Sequence, residues 1–380
     1  MRRTLSTLLS LVSWLSDVLR LDQWIIEGVE EHSKQPLMIL YAGNSRYPEN
    51  KNLIIHLAFK QSFTETPVGR VWLWNAGRAG QRIKNAQGLI VVEVPHIFRF
   101  IWNARKTFFL PTWFDGKLDV TLPTATDSTK TDIKRIKKNR LRYVVTTDEQ
   151  RFKDFYDNMH VPYISNTFGG LAFIHNYHHM RKSFGPDGPF HELLLVLNED
   201  TAIAGILLGR EKDELYLYYV GVKDGKIEYV QEGALGALFY FPVEYARTIG
   251  LQYVNFGLTR PFLKDGVLQF KKKRGMDVSH RYKIGYLLQV VAGGGGVNGF
   301  LLNNPFLYMA DNRFYGALFV DGTVSLSAEN LKRLYKDFYL QGMDKLFIYP
   351  LEHLSADSMP SLAEYSGAVA IGSTAGFWAG

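Results

Sequence analysis

Five stretches of this chain hold residue types that could do chemistry. The segment "FGLTRPFLKDGVLQFKKKRG" (256–275) closes on Lys271, Lys272, Lys273 and Arg274. Such a run either grips an anion or forms a solvated edge. Arg260 and Lys264 precede it, and Asn255 ends the strand before it. The segment "QEGALGA" holds Gln231, Gly233, Gly236 and Ala237. Small residues at a helix N-terminus let backbone N–H groups approach a pyrophosphate, and the helix dipole favours its charge. The same glycines could instead mark close packing. His191 and Glu192 open an apolar run and are candidate bases, while Tyr216 and Tyr218 alternate onto one face of a later run and could supply a phenol as acid. Finally, "FIHNYHHMRKSF" holds His175, His178 and His179. On a helix His175 and His179 would share a face, but the acidic neighbour of H-E-x-x-H is missing, so no metal is expected. His178 or His179 could serve as a base, because imidazole titrates near neutral pH.

These residues need a scaffold, and 380 residues suffice for two domains. The chain has no cysteine, which excludes disulfides, thiolate nucleophiles and Cys-based zinc sites. Its net charge of +7 favours anionic partners such as nucleotides, acyl-CoA, nucleic acid or an anionic membrane surface. Near the start, Leu5, Leu8, Leu9, Val12, Leu15 and Leu19 share one helical face. An amphipathic helix is expected over residues 1–34, docked on the protein itself or touching a membrane peripherally. No later run is long and uncharged enough for a membrane span, and a cytoplasmic protein is expected.

"LMILYA", "NLIIHLAF", "RVWLWN" and "GLIVVEV" read as strands, and "PHIFRFIWNARKTFFL" reads as more helical. Residues 121–132 are polar, without apolar periodicity, and read as a linker or surface loop. A basic helix start follows, with Lys130, Lys134, Arg135, Lys137, Lys138, Arg140 and Arg142, then a helix carrying Phe152, Phe155, Tyr156 and Met159. "HELLLVLN" and "TAIAGILLGR" flank the turn "ED" as a hairpin, and "DELYLYYVGV" makes a third strand. A helix ending at Gly250 leads to the strand "LQYVNFG". The stretch "LQFKKKRG" is expected to be extended, with Lys271 opposite Phe270 and at least two of Lys272, Lys273 and Arg274 facing water. The glycines at 293–296 lack a P-loop's Lys-Ser/Thr end and read as a flexible loop. A helix and a strand follow in "SAENLKRLYKDFYLQGMDKLFIYPL".

The order "ELLLVLNEDTAIAGILLG … LYLYYVGV … QEGALGALFYFPVEYARTIGLQYVNFG" resembles the GNAT acyltransferase superfamily. "QEGALGA" is similar to its Q-x-x-G-x-G/A pyrophosphate motif. The stretch ending "FKKKRG" is similar to the F-K-x-x-(aromatic)-G segment of Fem-type aminoacyltransferases and cellulose-biosynthesis-type acetyltransferases. Residues 125–290 carry the resemblance. Two departures stand out: Arg274 replaces the usual aromatic, and "KDGKIEYV" is a long lead into "QEGALGA".

The resemblance implies an α/β (α+β) fold of two GNAT-like halves, each a mixed central sheet flanked by helices. The expected divisions are a degenerate half over 35–124, the acyltransferase half over 125–290, and an α/β extension over 291–380. It implies an acetyl-CoA-dependent N- or O-acyltransferase acting on a small molecule or cell-envelope precursor. Gln231, Gly233, Gly236, Ala237, Asn255 and Arg260 would bind the donor, with Glu192, His179, Tyr218 and Lys271 in the catalytic cleft. A Fem-type enzyme would take aminoacyl-tRNA instead, and the basic stretch 130–142 would suit tRNA phosphates. A non-catalytic binding protein on the same fold is the third reading.

Overall fold

The computed structural model describes residues 19–60, 62–76, 88–101, 107–122, 126–169, 174–185, 187–279, 283–324, 326–351 and 368–372. Contacts divide the chain into two units. Unit 1 is Met1–Phe114, Arg260–Leu268 and His280–Gly380; unit 2 is Asp115–Thr259 and Gln269–Ser279. Unit 1 opens with β1 (Arg20–Val29), β2 (Pro36–Gly43), α1 (Pro48–Phe59), β3 (Phe63–Trp72), β4 (Gly88–Pro95), a 3-10 turn over His96–Ile101, and β5 (Thr107–Pro111). Next come β6 (Phe114–Asp119), α2 (Asp127–Lys138), β7 (Arg142–Thr146), α3 (Glu149–Phe155), a π turn (Tyr156–His160), α4 (Val161–Phe168) and α5 (Tyr177–Lys182). They are followed by β8 (Glu192–Asn198), β9 (Thr201–Glu211), β10 (Glu214–Val222), α6 (Ile227–Glu232), α7 (Ala234–Thr248), β11 (Tyr253–Thr259), α8 (Gly266–Lys272) and β12 (Asp277–Ser279). The chain ends with β13 (Ile284–Ala292), α9 (Gly295–Asn303), β14 (Phe306–Ala310), β15 (Arg313–Val320), α10 (Ala328–Phe338), β16 (Met343–Pro350) and β17 (Val369–Ile371).

The fold is mixed α/β, with two mixed sheets flanked by helices. The unit 1 sheet runs β17-β16-β15-β14-β5-β13-β4-β2-β1-β3; β2–β4 and β15–β16–β17 are its parallel pairings. The unit 2 sheet runs β12-β6-β11-β10-β9-β8-β7. Strands β7 to β10 are antiparallel neighbours, and β10–β11 is parallel, as a helical crossover requires. The turn between β8 and β9 puts Glu199 at φ +52°, and Gly250 ends the α7 crossover at φ +74°. Among the described residues, no helix is long and apolar enough to cross a membrane.

Several expectations are corrected. Residues 1–18 lie outside the described residues, but Arg20–Val29 is strand β1, where the N-terminal helix was expected to continue. "NLIIHLAF" lies in helix α1, because Pro48 starts it and Ile54, Ile55, Ala58 and Phe59 are buried at helical spacing. Of the stretch expected as more helical after Pro95, the described residues form a 3-10 turn over His96–Ile101 and strand β5 over Thr107–Pro111, while 102–106 lie outside the described residues. Residues 127–132 begin α2 rather than ending a linker; Thr126 caps the helix by accepting from the Thr129 N–H at 3.1 Å. Two of the four glycines open α9, packed so closely that a Cβ on Gly296 would lie 2.2 Å from the Pro36 carbonyl oxygen. The expected boundary at residue 124 falls inside unit 2, and that at 290 falls inside unit 1.

Unit 1 buries a polar network in its core. Glu93 on β4, 3% exposed, accepts from the Tyr41 hydroxyl. Tyr286 donates to the Asn50 carbonyl at 3.1 Å, and Arg260 donates to Asn50 Oδ1 at 3.1 Å and to the Thr112 carbonyl at 3.2 Å. Burial raises the Glu93 carboxyl to about 7, against the partial offset of hydrogen bonds from Tyr41, Asn44 and Asn50. The folded state therefore holds this proton more tightly than the unfolded chain. The resulting stability is complete below the unfolded value near 4.5 and is lost as pH rises through about 7. At about 1.4 kcal/mol per pKa unit, the loss amounts to roughly 3 kcal/mol. Urea unfolding of Glu93→Gln between pH 5 and 8 should show most of this slope removed; an unchanged slope would assign the pH dependence to other groups.

Candidate active site

In unit 2 the ladder at the centre of the sheet is short and irregular. Strands β10 and β11 pair through three residues, Glu214↔Tyr253, Leu215↔Val254 and Tyr216↔Asn255, where the ladder ends. On its other edge β10 pairs with β9, but the register shifts between Leu217 and Val220. Leu217 faces Leu208 and Val220 faces Ile206, so Tyr218 and Tyr219 together oppose Leu207. This is a β-bulge, which leaves backbone groups off the ladder and re-aims side chains. Gly257, at φ +73°, lets β11 pass the bulge: a Cβ there would lie 2.4 Å from the Leu217 carbonyl oxygen.

Aromatic side chains line the bulge. Tyr218 is 41% exposed, and its ring stacks 6.1 Å from that of buried Tyr216. Phe190 packs against both Tyr218 and Tyr219, at 4.8 and 5.3 Å between ring centroids. Burial, with Tyr218 close by, raises the Tyr219 phenol to about 12. The His175 ring meets Tyr219 edge-on at 5.2 Å and stacks on His179 at 5.6 Å. His179 is exposed on α5, His178 is exposed beside it, and His175 precedes the helix. Among the described residues, no group of three metal-ligating side chains gathers. Tyr218 and His179 therefore belong to one neighbourhood, linked through Tyr219 and His175.

One residue of this neighbourhood was missed in the sequence. His160 ends the π turn, is 2% exposed, and its Nδ1 lies 2.8 Å from the Val220 carbonyl oxygen at the bulge. Its rings of contact are Phe155, Tyr156 and Tyr219. The signal was present as "HVP": Pro162 has no N–H and crowds the preceding turn, which favours the widened π turn.

The other sequence candidates are held elsewhere. Glu192 accepts from Arg210 at 2.7 Å and from Tyr245 at 2.9 Å, so its charge is engaged in a local triad. His191 Nδ1 accepts from the Arg210 backbone N–H at 3.2 Å. Asn255, buried, accepts from the Gly257 N–H at 2.9 Å and fixes the strand where its ladder with β10 ends. Arg260 lies in unit 1, 3.5 Å above the Trp113 ring. Gln231 is exposed on α6, and Gly233 joins α6 to α7 at φ +108°. Gly236 and Ala237 are buried. A Cβ on Gly236 would lie 2.4 Å from Asp132 Oδ1, and one on Gly233 would lie 2.9 Å from Arg135 Cβ. Both glycines thus serve close packing of α7 on α2. A bulky residue at 236 would disturb that packing whether or not a donor binds.

The basic run is helical, not extended. Residues Gly266–Lys272 form α8, so Lys271 and Phe270 do not alternate across a strand. Lys271 is 4% exposed and donates to the carbonyls of Gly257 and Leu258 at 3.0 and 2.9 Å and to Thr259 Oγ1 at 2.9 Å. It holds the end of β11. Arg274 lies 3.4 Å above the Phe270 ring, donates to the Phe270 carbonyl at 3.0 Å, and pairs with Asp132 at 2.6 Å. Its flat guanidinium fills the place where an aromatic side chain was expected. Of the four cations, Lys273 is exposed, Lys272 and Arg274 are half-buried and Lys271 is buried.

No family model matches the chain, and no curated protein matches it in sequence. Its fold is similar to that of several solved structures. FemX shares 13% identity over 66% of this chain and 80% of its own, at a TM-score of 0.37. L-PGS from Bacillus licheniformis shares 10% identity over 70% and 82%, at 0.34. A GCN5-related N-acetyltransferase from Sphaerobacter thermophilus shares 11% identity over 71% and 78%, at 0.30.

Proposed function

We propose that unit 2 is a GNAT-type acyltransferase that moves an acyl group from an activated donor to an amine or hydroxyl. The observation that carries this reading is the three-residue β10–β11 ladder ending beside the β10 bulge. Where a ladder stops after three residues, the strand segments beyond it would provide a slot with backbone groups on its walls. A thioester or ester arm can enter such a slot, and its carbonyl can be polarised there as negative charge develops. The motif order quoted from the sequence supports the same reading. In this reading Tyr218 would protonate the leaving group, and His179 would relieve the nucleophile of its proton. Holding both substrates at the slot supplies the larger part of the acceleration. Unit 1 is proposed to be the degenerate half together with its C-terminal extension.

Acetyl-CoA is the first donor proposed, with a small molecule or cell-envelope precursor as acceptor and the cytoplasm as its place of work. One observation favours aminoacyl-tRNA as a second reading. Lys134, Arg135, Lys137, Lys138 and Arg140 are all exposed on and just after α2, a surface that suits a phosphate backbone. The Gly233–Gly236 turn, in contrast, is filled by α2 side chains. The test supplies purified protein with a panel of amine and hydroxyl acceptors, small molecules and cell-envelope precursors, together with acetyl-CoA or a mixed pool of aminoacyl-tRNA, and follows release of free thiol or uncharged tRNA with acylation of the acceptor. Turnover of one donor is expected, lowered in Tyr218→Phe. Turnover of neither would leave the non-catalytic binding protein as the reading.

A further inference from the structure

The bulge in β10 is held from one side by a single imidazole. Val220 follows the two residues that oppose Leu207, and its carbonyl lies 2.8 Å from His160 Nδ1. A carbonyl can only accept, so His160 carries its proton on Nδ1 and leaves Nε2 with a bare lone pair. That Nε2 is buried without a hydrogen-bond partner. Burying a polar atom in this way carries a cost, which a phenylalanine in the same aromatic niche would avoid. What phenylalanine lacks is the Nδ1 donor.

The backbone beneath is fitted to the same contact. A Cβ on Gly221 would lie 2.5 Å from the His160 nitrogen, and one on Gly205 would lie 2.7 Å from the Phe155 ring. The two glycines let the π turn rest directly on β9 and β10. Histidine, π turn and bulge are thus one construction on β10, the strand whose ladder with β11 ends at Tyr216.

We infer that His160 is a positioning residue: its Nδ1–H bond to Val220 fixes the backbone of the bulge at the slot where the acyl carbonyl is held. The inference rests on the acyl-transfer reading of that slot. His160 does not touch substrate; it acts through the β10 backbone. Loss of its donor should let the bulge relax, which weakens binding of the transition state more than binding of the donor.

The experiment compares His160→Asn, His160→Gln and His160→Phe. The asparagine amide nitrogen stands where Nδ1 stands, whereas that of glutamine reaches toward Nε2. Each variant is checked by thermal melting, then assayed for kcat and KM with acetyl-CoA and with aminoacyl-tRNA. Hydrogen exchange is followed in peptides covering Glu214–Val222. The asparagine variant is expected to keep kcat within about threefold and to retain exchange protection. Glutamine and phenylalanine should lower kcat by roughly tenfold, the factor for one lost hydrogen bond, with KM little changed and faster exchange at the bulge. Gly221→Ala, which pushes the π turn away without touching the imidazole, should reproduce the glutamine phenotype. Equal kcat for Asn and Gln, with wild-type turnover present, overturns this inference alone. Wild-type protein that turns over neither donor overturns the acyl reading and the inference with it, while the exchange data still report whether His160 holds the bulge.

Discussion

Arg274→Ala is expected to destabilise unit 2 by about 3–5 kcal/mol, the usual cost of leaving one partner of a buried ion pair alone. Arg274 and Asp132 meet at 2.6 Å, with side chains 12% and 6% exposed. Burial raises the Asp132 carboxyl despite this pairing and lowers the Arg274 guanidinium despite the same contact. Desolvation therefore outweighs attraction at both ends, and neither charge is comfortable without the other. Arg274→Ala would leave Asp132 charged and buried against Gly236, and would strip the cover from the Phe270 ring. The double variant Asp132→Leu with Arg274→Met removes both charges and keeps the volume. It should recover most of the loss, because replacing a buried pair by apolar groups is often neutral. Urea unfolding measures all three proteins. A loss below about 1 kcal/mol for Arg274→Ala, the range of exposed pairs, would show that the pair is solvated.

Lys271→Ala is the second large effect expected, and its first readout is stability. Three acceptors at the end of β11 share the Lys271 ammonium. Removing it takes this donor from the buried Thr259 hydroxyl and from two part-buried carbonyls, so a loss of about 2–3 kcal/mol is expected at roughly 1–3 kcal/mol per unpaired group. Lys273→Ala, at an exposed position, should stay within about 0.5 kcal/mol. Turnover should fall in the Lys271 variant too, since β11 forms one wall of the slot. A Lys271→Ala protein with wild-type stability and lost donor affinity would return this lysine to the anion-gripping role that its motif suggested.

Much of unit 2 was legible because its signals are local. The "ED" turn between two apolar runs, the third strand, and a helix stopped by Gly250 each stand on contiguous residues. The errors arose where local pattern and tertiary context diverge. "NLIIHLAF" is apolar enough for a strand, and only the proline upstream and burial at helical spacing decide for α1. "LQFKKKRG" carries no periodicity of its own; α8 forms because Asp265 accepts from the Leu268 N–H at 2.9 Å and Lys271 is captured by β11. Gly233 and Gly236 matched a phosphate motif because close helix packing and phosphate approach demand the same absence of a side chain. The bulge and the π turn are irregularities, and no period announces them. His160 stayed hidden for that reason, although the proline two residues later was visible, as were Gly221, where the π-turn backbone comes close, and Gly205, where the Phe155 ring does.

The most direct test of the account is hydrogen exchange of wild-type protein with and without a hydrolysis-resistant donor analogue. Two analogues suffice: an acetyl-CoA thioether and a tRNA carrying its amino acid through an amide. The account predicts that one of them slows exchange in peptides covering Leu217–Val222 and Asn255–Thr259, the two walls of the slot, and that the tRNA analogue, if it binds, also protects Lys134–Arg142. Binding that protects neither wall would contradict the placement of acyl transfer between β10 and β11.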